Sequence, residues 1–77
     1  MKAKGYMCLY WYVIAQEYRK EYRIDDAMNS MSFDEMHEYL LRKHNSFPDY
    51  VTMDVLDIVP VYFDEEAYNI FKEWDNL

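Results

Sequence analysis

The sequence predicts a mainly α domain, compact and single, built from about four short helices. Three observations predict it. Apolar residues of the opening segment recur at helical spacing, a capping box stands just before residue 33, and one Gly and two Pro are all that punctuate 77 residues. The alternative is an α+β domain with strands near 6–15 and 51–63, because both stretches are rich in β-branched and aromatic residues.

The first helix is expected from about 6 to 24. Met7, Trp11, Ile14, Tyr18 and Tyr22 fall on one stripe, and no Gly or Pro interrupts residues 6–47. The competing strand over 6–15 rests on the unbroken apolar run from Tyr6 to Ala15, which period alone does not resolve. That run is apolar all round. The segment is therefore either the central element of the domain, or another chain covers its second face.

The second helix, "SFDEMHEYLLRKH", has Ser32 as N-cap and Glu35 three residues on, which is the capping-box spacing. Acids open it and Arg42, Lys43 and His44 close it, as the helix dipole favours. Phe33, Met36, Leu40 and His44 make its stripe, with His37 and Leu41 beside it. A third helix is expected over 48–58, started by Ser46, Pro48 and Asp49 and stopped by Pro60. Its rival is a strand, since Val51, Met53 and Val55 alternate with Thr52 and Asp54 until the pattern fails at Val55-Leu56. The fourth helix, "DEEAYNIFKEW", takes Asp64 as its cap and buries Ala67, Ile70, Phe71 and Trp74.

Charge narrows the function classes. Residues 1–24 carry five basic and two acidic groups, while residues 25–77 carry three basic and thirteen acidic ones. A net of −10 on the longer part repels a phosphate backbone, so direct nucleic-acid binding is disfavoured and a basic protein partner is favoured. The helix–turn–helix spacing of 33–44 and 48–58 does not alter this, because the second helix would carry three Asp and no basic residue. A membrane span needs about 20 apolar residues, and the run stops at ten before Glu17 and Arg19. Lys2, Lys4 and Val13-Ile14-Ala15 sketch a leader, but three Tyr and a Trp crowd its core. A single cysteine excludes an internal disulfide and fits a reducing, cytoplasmic setting.

Catalytic and metal chemistry find little support. Asp34, His37 and Glu38 lie on one helix, yet a carboxylate metal site needs a second such helix. "HEYLLRKH" lacks the second His of HExxH. Cys8, among Met7 and Leu9, is expected as a buried thiol. The chain is read as non-enzymatic, with no cofactor and no metal. The acids carry the sharper reading. Asp54, Asp57, Asp64, Glu65 and Glu66, beside Tyr50 and Tyr62, form the expected partner-binding surface, with carboxylates standing where phosphates would lie in a basic, nucleic-acid-binding cleft. In composition (small, acidic, rich in Tyr) the chain resembles the accessory proteins that bacteriophages encode to inhibit host machinery. The runner-up is an oligomeric assembly subunit, a homodimer in its simplest form, joined through Tyr12, Val13, Arg19 and Arg23 of the opening segment.

Overall fold

In the computed structural model residues 2–44 and 53–77 are described, and they form an α+β fold rather than a bundle of helices. The expected helix over 6–24 is a β-hairpin: β1 spans Gly5–Tyr12 and β2 spans Glu17–Arg23. A short 3-10 turn over Asp26–Ser30 leads to α1, Phe33–His44. The expected third helix is a strand, β3, Met53–Val61, and α2 follows over Asp64–Trp74. The expected start at Ser46, Pro48 and Asp49, and Tyr50 with it, lie outside the described residues.

The sheet runs β2-β1-β3, with β1 antiparallel to both neighbours. The reason lies in β1. Every residue from Gly5 to Tyr10 is buried, so the strand must be covered on both faces and paired on both edges. Tyr6, Cys8 and Tyr10 point to one face, where they join Met28, Leu40, Met53, Val55 and Ile58 in the main core beneath α1. Met7 and Leu9 point to the other, which α2 crosses. Of the two alternatives for this apolar segment, the central element is what its first part becomes, as a strand buried on two faces. The helical spacing of Met7, Trp11 and Ile14 is coincidental.

α1 starts as expected. Ser32 N–H donates to Glu35 Oε1 (3.2 Å), and Glu35 N–H donates to Ser32 Oγ (3.3 Å). Its stripe is shifted: Leu40 is fully buried and Met36, Tyr39 and Leu41 pack against the core, whereas Phe33 is 53% exposed. Asp25 binds the preceding turn to this helix. It accepts from Ala27 N–H (3.1 Å), from the Tyr39 hydroxyl (2.5 Å) and from Lys43 Nζ (3.4 Å). At α2 the cap position is Phe63, one residue before the expected Asp64, and Glu66 Oε2 accepts from Tyr62 N–H (2.7 Å). Ala67, Ile70, Phe71 and Trp74 do form its inner stripe, each half-buried.

β3 carries a bulge. Leu9 faces Asp57, but Tyr10 faces Val55, which leaves Leu56 as the extra residue. Asp57 accepts from Ile58 N–H (2.9 Å) at this break. Pro60 is tolerated because β3 is an edge strand.

Candidate interaction surface

The bulge decides where the acids go. In a regular strand, residues three apart point to opposite faces. Here Asp54 faces Trp11 and Asp57 faces Leu9, and Trp11 and Leu9 share a face, so both residues stand on the α2 side by register, with the Asp54 carboxylate at the sheet edge within 4.0 Å of His37. The register of the hairpin completes two rows across the sheet. One reads Asp54, Trp11, Tyr18 and the next Asp57, Leu9, Lys20.

α2 covers only part of this face. It leaves β3 at the Val61 end and is held at β2 by Lys20, whose ammonium donates to the Phe71 carbonyl oxygen (3.0 Å), pairs with Asp75, and sits 4.8 Å from the Phe71 ring centre. The row nearest the hairpin turn stays open. Trp11 is half-buried and packs edge-on against Tyr18 at 4.9 Å, and Tyr18 is 49% exposed. Asp54 is exposed, with His37 Nε2 4.0 Å from its Oδ1. Beyond the row, Val13 and Ile14 of the turn are exposed. Where Trp74, Asp75 and Leu77 meet Leu9, Tyr18 and Lys20, a cavity of about 200 Å³ borders the same row.

The other expected partner-binding residues lie elsewhere. Asp64, Glu65 and Glu66 begin α2, beyond the far end of β3 from Asp54. Glu66 is occupied with the Tyr62 amide, Asp64 lies 3.7 Å from Lys4, and Tyr62 is half-buried. The five acids thus form two groups separated by the length of β3. The expected oligomer residues also divide. Tyr12, Arg19 and Arg23 belong to the α1 side, with the Arg19 guanidinium 4.2 Å over the Tyr12 ring, while Val13 sits in the turn. Helical spacing sends Trp11 and Tyr18 to a helix core. Only strand register reveals them beside Asp54.

A second polar group lies under the end of α1. The Tyr10 hydroxyl donates to Glu21 Oε1 (2.9 Å), Arg23 donates to the same oxygen (2.8 Å), and His44 Nε2 is 3.6 Å from it. Among the described residues, Arg23 Nε is enclosed without an acceptor. Burial opposes the charge on Glu21, yet hydrogen bonds from Arg23 and Tyr10 hold its carboxyl below the usual range. Asp25 is likewise lowered, chiefly by the Tyr39 hydroxyl. Both carboxylates bind protons more weakly in the folded chain than in the unfolded one. Their stabilising effect is present above the unfolded values, about 4.3 for Glu and 3.9 for Asp, and is lost as pH falls through the folded ones. Thermal melts from pH 7 to pH 3 should therefore show a falling Tm, with the fall shallower in Glu21→Gln. Parallel acid limbs in the two proteins would refute the assignment.

Cys8 offers no nucleophile. It is fully buried, and desolvation pushes its thiol up to about 11. Among the described residues no three His, Cys, Asp or Glu converge as a metal site, and no helix is long and apolar enough to cross a membrane. In comparisons with protein-family models, characterised proteins and solved structures, nothing matches the chain.

Proposed function

We propose that the chain is a small non-enzymatic protein that binds a basic surface on a macromolecular partner and inhibits it, occupying a site that otherwise holds nucleic acid. One observation carries this reading: Asp54 lies in one row with Trp11 and Tyr18 on the part of the sheet that α2 leaves open, with half-buried Asp57 in the next row on the same face. A Lys or Arg side chain laid over Trp11 gains a cation–π contact and a carboxylate at once. Charge on the surrounding surface steers such a partner inward.

The test uses the indole itself. With Trp74→Phe as background, Trp11 is the single tryptophan, and an arginine-rich octapeptide should change its fluorescence in a salt-dependent way. Asp54→Asn with Asp57→Asn removes two exposed ion pairs worth roughly 0.5–1 kcal/mol each, so affinity should fall roughly tenfold. Glu65→Gln with Glu66→Gln, at the far end of β3, should change it less than about twofold. Equal losses from both pairs would mean that bulk charge, not this row, does the binding.

A further inference from the structure

The outer side of β2 is an open sheet edge: no strand pairs with it among the described residues. Its sequence, EYRKEYR, has an internal order. Glu17, Arg19, Glu21 and Arg23 alternate in charge along the α1 side, and Tyr18, Lys20 and Tyr22 take the other. We infer that a second copy of this chain docks antiparallel on β2, about a two-fold axis through Lys20, to make one continuous six-stranded sheet.

The register follows from charge. In an antiparallel pair, directly opposed residues share a face, so a two-fold axis must pass through a residue of the strand. An axis at Lys20 sets Glu17 against the partner copy's arginine at position 23, Arg19 against its glutamate at 21, and Tyr18 against its tyrosine at 22. All seven residues are then used. Moving the axis to Arg19 opposes Glu17 to glutamate and Arg19 to arginine. Moving it to Glu21 opposes Arg19 to arginine and Glu21 to glutamate. Both neighbouring registers place like charges face to face, which is destabilising. The one like pair at the favoured axis is Lys20 with itself. Each Lys20 is already drawn away from the edge by Asp75 and the Phe71 carbonyl.

Arg19 is half-exposed at this edge, while Arg23 and Glu21 are also engaged with Tyr10 and His44. Arg19 lies 2.5 Å from Glu17 and Arg23 lies 2.8 Å from Glu21 along the same strand, so the second copy would turn two pairs into an alternating ladder of eight charges. Exposed Tyr18 and Tyr22 supply contact area on the opposite face. This surface shares Tyr18 with the Asp54–Trp11 row, but its test reads self-association and not peptide binding, so the two readings fail separately.

Sedimentation and disulfide trapping test it together. Wild-type chain should associate as concentration is raised to millimolar, and Arg19→Glu, which puts Glu against Glu on both sides of the axis, should weaken association at least tenfold. Arg19→Lys should retain it. Lys20→Cys should oxidise to a covalent dimer, because opposed Cα atoms lie about 4.5–5.5 Å apart, within disulfide reach. Tyr18→Cys should not link to itself, its two copies being about 13 Å apart by strand rise, but should link to Tyr22→Cys when the two are mixed. A wild-type chain that stays monomeric at millimolar concentration overturns the inference. So does a dimer that ignores Arg19→Glu, or one in which Tyr18→Cys self-links as readily as Lys20→Cys.

Discussion

Leu40→Ala is expected to cost about 2–5 kcal/mol, the range for emptying a fully buried leucine site. Leu40 is the one buried residue of α1 and belongs to the core cluster that includes Tyr6, Cys8, Tyr10 and Val55. A 77-residue domain has about 4–12 kcal/mol of stability in all. The substitution therefore removes at least about a sixth of the total and, at mid-range values, nearly half, and urea melts should show a large drop in midpoint. Leu40→Met, close in volume, should cost under about 1.5 kcal/mol. Phe33→Ala provides the contrast, since Phe33 is mostly exposed and its loss should stay within about 0.5 kcal/mol. A comparable loss from Phe33 and Leu40 would mean that α1 packs through the stripe its spacing first suggests.

Gly5→Ala is the second large effect. A Cβ at Gly5 would lie 2.5 Å from Tyr22 Cζ and 2.7 Å from the Arg23 carbonyl oxygen. Two terms oppose each other. Replacing a strand glycine recovers about 0.5–1 kcal/mol of backbone entropy. Overpacking costs about 1–3 kcal/mol. The Tyr22 ring is exposed and swings aside, but the Arg23 oxygen belongs to the backbone of β2 and moves only with its strand. The clash should win, with a net loss of roughly 1–2 kcal/mol. The double variant Gly5→Ala with Tyr22→Ala isolates the backbone part. If removing the ring restores full stability, the carbonyl contact is not the cause.

Some of this molecule is legible in its residues, for physical reasons that differ by element. The capping box at Ser32 and Glu35 and the inner stripe of α2 are local, and both hold. β1 misleads because a strand buried on two faces has no alternation to read. β2 misleads for the opposite reason: its alternation is of charge, which a hydrophobic period does not register. The turn joining them, Val13 to Gln16, contains no Gly, Pro, Asn or Asp. It closes with Gln16 at φ 51, a left-handed conformation that a non-glycine residue adopts at a cost of about 1 kcal/mol. In β3 the failed alternation at Val55-Leu56 argues against a strand, yet it marks the bulge. Asp54 and Asp57 do share a side, as a helix would have arranged, through that extra residue instead. Trp11 beside Asp54 is a non-local pairing, and local spacing carries no trace of it.

The buried thiol has a use that its lack of chemistry creates. Cys8 sits in the middle of the middle strand, under α1, with Tyr10 and Ile58 around it. Fraying at either terminus or at the hairpin turn leaves it shielded. A thiol reagent reaches it only when the sheet itself comes apart, so labelling proceeds at the open fraction times the reagent's own rate when reclosing is fast. The chain thereby contains a clock for its own global opening, readable by mass spectrometry with no added probe.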